Sequence, residues 1–296
     1  MAAGLAAAVG TSVGLKAKAP GFKFRWVVAS SMYGKLKLAE ILPEVRKLGS
    51  TEIDIWPLSH GNQREQIEQM GHDAFADMLS KHGVKLGILT HYGLGPFRLQ
   101  KEMPVARKFG TKLLICSGSG PRGLRGAKLK EAVKAFVEKL KPHLAAAGKY
   151  GVVIGIENHK NNLIESPDSI KWLAEMARDR PLGIALAPYH LPQDSKALAG
   201  LIGTLGARMV HFYAWQYGMG CMKKLPKNQE LLQMPGRGKL DFTSLVAALK
   251  KGNYAGGTCA FMHPVPRGIP ILPTAGEVTA EIARSQKYLR KCLAGT

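Results

Sequence analysis

The chain of 296 residues has little cysteine, 4 in all, and few aromatic residues, at 7%. Cys116, Cys221, Cys259 and Cys292 are too few and too scattered for a disulfide framework. None forms the C-x-x-C pair that seats structural zinc. Acidic residues are scarce as well: 21 Asp+Glu stand against 42 Lys+Arg, a formal charge of +21. No uncharged apolar run of about 18 residues follows the N-terminal stretch, which excludes an internal membrane-spanning helix. A long basic run with interleaved aromatics is missing too. The cations are spread along helical patterns, as at Lys128, Lys130, Lys134, Lys139 and Lys141. The charge is therefore read as a solvated basic surface with no specific nucleic-acid partner.

What the chain does have is core material. Hydrophobic residues make up 46%, which excludes wholesale disorder. The length suits one large α/β domain. Residues 1–21 stand apart, being rich in Ala, Gly and Val, and Ala17-Lys18-Ala19 has the small-x-small form of a signal-peptidase site. They read as the back half of an export signal or as a disordered tail. The first reading implies an exported or periplasmic protein, the second a cytoplasmic one. The fold is expected over 22–296.

From Phe22 onward, short β-rich runs alternate with helical patterns. The candidate strands are Arg25–Ala29, Glu52–Trp56, Lys85–Thr90, Lys112–Cys116, Val152–Glu157, Leu182–Ala187, Arg208–Tyr213 and Gly257–Phe261. Between them Leu38, Ile41, Leu42, Val45 and Leu48 keep the i, i+3, i+4 spacing of a helix face. So do Val133, Phe136, Val137, Leu140 and Leu144. Asp241 suits the N-cap of the helix that carries Leu245, Val246 and Leu249. Gly49, Gly83, Gly110, Gly151 and Gly252 suit the position just past a helix end. Alternating strands and helices mean a parallel sheet, and eight units suit closure as a single (β/α)8 TIM barrel. The competing open sheet usually carries a Gly-rich turn after its first strand. Here that position reads Ala29-Ser30-Ser31-Met32-Tyr33.

In such a barrel the active site lies at the C-terminal strand ends. Six of the nine histidines fall there: His60, His91, His159, His190, His211 and His263. Glu157 ends strand five, where a carboxylate is costly unless it is paired or ligating. Trp56, Tyr92, Trp215 and Tyr217 stand at or beyond strand ends, where rings stack on sugar faces. The loops His60-Gly61-Asn62-Gln63 and Ser117-Gly118-Ser119-Gly120 are polar and Gly-rich enough to offer backbone N–H groups to hydroxyls or phosphate.

The segments VVIGIENHKNNLIESPDSIKWL, LGIALAPYHL, MVHFYAWQ and PGRGKLDFTSLVAALKKGNYAGG carry a resemblance. In that order they resemble the xylose isomerase-like superfamily of sugar isomerases and epimerases, which also includes endonuclease IV-type enzymes. The resemblance implies a divalent metal held by a Glu, an Asp, a His and a Glu from four strand ends, the two Glu moving a proton between neighbouring carbons. Glu157 matches the first ligand. The other three positions fall on Ala187, Tyr213 and Phe261, and the Asp that follows the His falls on Gln216. The inherited ligand set is incomplete, so any metal would need a site rebuilt from Glu157, His159, His211 and His263.

The expected activity is that of a sugar isomerase or epimerase acting beside a carbonyl, with a degenerate metal site and a small carbohydrate as partner. Glu157 is the candidate base and His190 the electrophile. His60, His91, Asn158, Tyr213, Trp215, Gln216 and His263 are the candidate substrate contacts. The alternative is a non-catalytic carbohydrate-binding barrel derived from such an enzyme. An endonuclease IV-type nuclease is the remaining reading, weakened by the lost Asp and Glu.

Overall fold

A computed structural model describes residues 21–296. The export-signal reading of the N-terminal stretch concerns residues outside that range. Eight parallel strands close on themselves in chain order: β1 (Arg25–Ala29), β2 (Glu52–Ile55), β3 (Lys85–Thr90), β4 (Leu113–Ser117), β5 (Val153–Glu157), β6 (Leu182–Leu186), β7 (Met209–Ala214) and β8 (Gly257–Ala260). Closure comes from β1 pairing β8, with Arg25 beside Gly257 and Trp26 beside Thr258. The molecule is the (β/α)8 barrel that the alternation implies.

The helices are α1 (Leu38–Lys47), α2 (Gln63–Met70), α3 (His72–His82), α4 (Met103–Phe109), α5 (Gly126–Tyr150), α6 (Pro167–Met176), α7 (Ser195–Leu205), α8 (Lys227–Glu230), α9 (Thr243–Lys251) and α10 (Ala275–Ala294). Their apolar stripes face the sheet: α1 buries Leu38, Ile41, Leu42 and Val45, and α5 buries Val133, Phe136, Val137, Leu140 and Leu144. Burial of such side chains contributes about 1.5–3 kcal/mol each. No helix of the described residues is long and apolar enough to cross a membrane. All four cysteines are buried and unpaired.

Two helix-end expectations need correction. Gly49, Gly83, Gly110 and Gly151 take positive φ, but Gly252 sits at φ −80 and closes α9 in a right-handed conformation. Asp241 does not occupy the N-cap of α9, which Phe242 holds. Its Oδ1 nevertheless accepts the Thr243 N–H (2.9 Å), capping from one residue upstream.

Inside the barrel, β7 turns His211 towards β8. Gly257 makes room for it, because a Cβ there would come within 2.8 Å of Val27 Cγ2 and 3.1 Å of His211 Nδ1. Tyr213 lies next along β7 in the same line, its ring 4.4 Å from that of His211.

Candidate active site

The pleat of β5 carries Glu157 to the barrel's C-terminal end, level with Ser117 of β4 and Ala185 of β6. Its carboxyl is buried. Oε2 accepts a hydrogen bond from the Tyr92 hydroxyl, and Oε1 lies 3.6 Å from His190 Nε2. Burial, and then the buried Asp54 carboxyl, push the Glu157 pKa well above the usual carboxylate range. Burial therefore favours its protonated form.

His190 is placed by the strand before it. Asn158 follows Glu157, and its amide clasps Ala187 at the end of β6: Nδ2 donates to the Ala187 carbonyl (3.0 Å), and Oδ1 accepts the Ala187 N–H (2.8 Å). A single helical turn, Pro188–His190, then leads from this anchor to the imidazole. Neither His190 nitrogen has a hydrogen-bond partner among the described residues, although the side chain is only 4% exposed. Burial, with the charges of His159, Lys160 and Arg267, pulls its pKa down to about 2. A buried acid thus faces a buried neutral base.

Three further imidazoles surround this pair. His159 packs on His190 with ring centroids 4.0 Å apart. Its Nδ1 lies 2.8 Å from the Lys160 carbonyl, an acceptor, so Nδ1 carries the hydrogen and Nε2 is left to accept. His60 and His263 pair at 4.7 Å. Burial, Arg267 and His159 lower His60 to about 4. Burial chiefly, then His60 and Arg267, holds His263 well below the ordinary histidine range. Aromatic rings back the imidazoles. Trp215 stacks on Tyr189 at 3.9 Å and 12°, and Trp56 on Phe261 at 5.6 Å and 26°. The cavity so formed has a volume of about 520 Å³.

Beneath it lies a second acid. Asp54 alternates with Trp56 at the end of β2, and Oδ2 accepts from Trp56 Nε1 (2.6 Å) and Thr90 Oγ1 (3.0 Å), while Oδ1 has no partner. Burial raises its pKa to about 7 against the pull of these two hydrogen bonds.

The structure brings Glu157, His190, His60, His159, His263 and Trp215 onto one cavity wall. Tyr213 lies below it, buried against Phe261 at 4.9 Å. His211 is deeper still, and burial lowers its pKa to about 3. His91 stands outside the wall, its Nδ1 accepting the Leu94 N–H (3.3 Å). Gln216 uses its amide on the backbone, Nε2 to the Met234 carbonyl (2.7 Å) and Oε1 from the Leu240 N–H (2.9 Å). Asn158 is similarly engaged with Ala187. The loop after β2 is tied down by Gln63, whose Nε2 donates to the carbonyls of Gly34 and Leu36.

Sequence reasoning places Asp54 and Lys160 at strand ends without giving them a site role, and it misses Arg267. Asp54 carried a signal, since two polar-capable residues spaced by two share a strand face. Arg267 carried none, because it sits in an irregular Pro- and Gly-containing loop.

The donor set does not fit the family's divalent ion. Ala187 offers no side-chain donor, and Phe261 fills its position with a ring packed among Trp56, Tyr213 and His263. Burial holds the Tyr213 hydroxyl well above its ordinary pKa, so it stays protonated and ligates poorly. Among the described residues no group of three or more His, Cys, Asp or Glu is arranged to hold a metal. Glu157, His159, His211 and His263 do not converge into a replacement site.

A family model for the xylose isomerase-like TIM barrel matches residues 42–292. No curated protein sequence matches. Among solved structures, D-psicose 3-epimerase from Clostridium cellulolyticum H10, with D-tagatose, is 15% identical at TM-score 0.65, covering 91% of this chain and 99% of that one. An IOLI protein with a bound zinc atom is 15% identical at TM-score 0.67, covering 92% and 99%. An L-ribulose 3-epimerase is 12% identical at TM-score 0.65, covering 92% and 95%. At these identities the structures share the fold with this chain, and the family match spans most of its length: the chain belongs to the xylose isomerase-like TIM barrel family.

Proposed function

We propose that the chain is a sugar isomerase or epimerase that moves a proton beside a carbonyl, with Glu157 and His190 acting together. The observation that carries this reading is the buried pair, Glu157 Oε1 3.6 Å from His190 Nε2, at the floor of a cavity walled by imidazoles and stacked rings. Ring faces suit the apolar faces of a sugar, and unpartnered nitrogens suit its hydroxyls.

The chemistry follows from the pair. In the reactive form, reached when the substrate carbonyl accepts a hydrogen bond from His190 and draws the proton from Glu157 onto Nε2, the Glu157 carboxylate takes the proton from the carbon beside the carbonyl. The C–H electron pair moves into the carbon–carbon bond, and the carbonyl π pair moves onto oxygen, which receives the proton from His190. Collapse of the enediol returns the Glu157 proton to the neighbouring carbon, while the other hydroxyl gives its proton back to His190. One base on one face is enough for aldose–ketose isomerisation. Inversion at a carbon needs a second base, and the family's second Glu falls on Phe261, whose ring packs 4.8 Å from that of His263. The arrangement therefore favours isomerisation over epimerisation.

The test is solvent deuterium exchange beside the carbonyl across a panel of keto-sugars. Glu157→Gln keeps shape and hydrogen bonding but removes the base, and the rate should fall by about 10²–10⁴-fold while sugar binding changes far less. Exchange at the wild-type rate in Glu157→Gln would rule out Glu157 as base. The second reading, a carbohydrate-binding barrel without catalysis, draws support from the ring of Phe261 at a former ligand position. Sugar binding without exchange in any panel member would establish it. The endonuclease IV-type reading finds no support in strand ends that carry Ala187 and Phe261.

A further inference from the structure

The charge lining the cavity is one-sided. Glu157 is its single carboxyl, buried at the floor, whereas Lys160 and Arg267 stand on the wall nearer solvent. Ionised, Glu157 would leave a balance of one positive charge; neutral, it leaves two. Neither cation has a carboxylate partner within ion-pair distance among the described residues. Arg267 is instead pinned by neutral acceptors: Nη1 donates to the Pro264 carbonyl (2.5 Å), and Nη2 to the Cys221 carbonyl (3.3 Å) and Sγ (3.1 Å). These bonds fix the guanidinium across two loops while leaving Nε–H and one Nη1–H uncommitted. Its field reaches the whole wall, since it lowers His60, His159, His190 and His263 alike. Two cations over a cavity whose single carboxyl cannot balance both, one of them held rigidly, are arranged to meet an anion from outside.

The wall also carries polar atoms for the rest of such a ligand. Asn162 donates to the Gly118 carbonyl (2.8 Å), and its Oδ1 is buried without a partner, an acceptor waiting for a hydroxyl. Both nitrogens of His190 are likewise unpartnered. From this arrangement we propose that the substrate is an acidic sugar derivative, its phosphate or carboxylate held by Arg267 and Lys160 and its carbonyl end lying at Glu157 and His190. The proposal rests on the reading of the Glu157–His190 pair for the carbonyl end, and on the two cations alone for the anionic end.

The experiment compares three ketoses that differ at one carbon: D-fructose, D-fructose 6-phosphate and D-fructuronate. Their binding to the full chain is measured by titration calorimetry at low and high salt. At least one anionic member should bind about tenfold or more tightly than fructose, the scale of a charge-assisted hydrogen bond, and the gap should narrow with salt. Whichever anion shows the gap identifies phosphate or carboxylate as the group recognised. Arg267→Gln should shrink the gap. Lys160→Gln, at an exposed position that leaves the loop ties intact, should shrink it as well and guards against a folding defect in the first variant. Equal affinity for all three sugars, failure of both anions to bind, or a gap that survives both substitutions would overturn the proposal. The subsite is read out by binding and the proton transfer by isotope exchange, so either fails without the other.

Discussion

Asn158 grips Ala187 at both ends of its peptide unit, donating to the carbonyl at 3.0 Å and accepting from the N–H at 2.8 Å. One amide thereby ties the end of β5, which carries Glu157, to the end of β6, which carries His190. The distance between acid and imidazole depends on this clasp. Asn158→Ala strands two buried backbone groups at a cost of about 1–3 kcal/mol each. Urea unfolding should register that loss. Isotope exchange should fall further than sugar binding, because the pair loses its register while the stacked rings stay in place.

Burial favours a proton on Glu157 and disfavours one on His190, so the carboxyl is the proton source of the pair. Raising the pH through the elevated Glu157 pKa removes that proton and leaves no donor for the developing oxygen anion. Exchange should therefore decline on the alkaline side, where an isolated carboxylate base would have kept its rate. Asp54 raises Glu157 through its charge. Asp54→Asn should move the alkaline decline to lower pH, as a pH–rate profile of both proteins would show.

Stability should have a maximum near pH 6.5. The folded pKa values of His60 (about 4), His190 (about 2) and His211 (about 3), and the lowered one of His263, lie below their unfolded value of 6.5. The unfolded chain binds more protons in that window, so stability rises with pH up to 6.5. Asp54, raised from 3.8 to about 7, and Glu157, raised well above 4.5, act in the opposite sense. There the folded chain binds more protons, and stability falls as pH rises through their folded pKa values. Six imidazoles, with the lowered His91 and His159 counted, act below pH 6.5 against two carboxyls; above it the imidazoles are neutral in both states and only the carboxyls act. Thermal unfolding across pH 4–9 should trace this curve, with a shallower alkaline fall in Asp54→Asn.

The lost ligand set should be recoverable. Ala187→Asp, Tyr213→His and Phe261→Glu together with native Glu157 place oxygen and nitrogen donors on four neighbouring strand ends. Calorimetry should show the triple variant taking up Mn²⁺ at one site per chain, with less uptake by any single variant. Phe261→Glu alone should lower stability, since it buries a carboxylate against Trp56 without a partner.

The strands were legible because parallel barrel strands are short apolar runs cut by helical periodicity, and every expected end falls within one residue of the observed one. Glu157 and His190 were legible for a related reason, since polar residues at the ends of apolar strands have to be accounted for. Asn158 was read as a substrate contact, yet its amide is spent on Ala187. That engagement depends on the pairing of Glu157 with Ala185, a register set by the neighbouring strand. Gln216 fell to the same effect, through partners at Met234 and Leu240. Arg267 lies on a loop where neither period 2 nor period 3.6 applies, so only the folded chain brings it to the cavity.

Phe261 is buried where its ring meets those of Trp56, Tyr213 and His263. Close by in the interior, Tyr213, His211 and one oxygen of Asp54 have buried hydrogen-bonding atoms without partners among the described residues. A phenyl ring can neither donate to nor accept from these groups as an amide or hydroxyl would, so the polarity of this part of the interior is set by what stands at position 261.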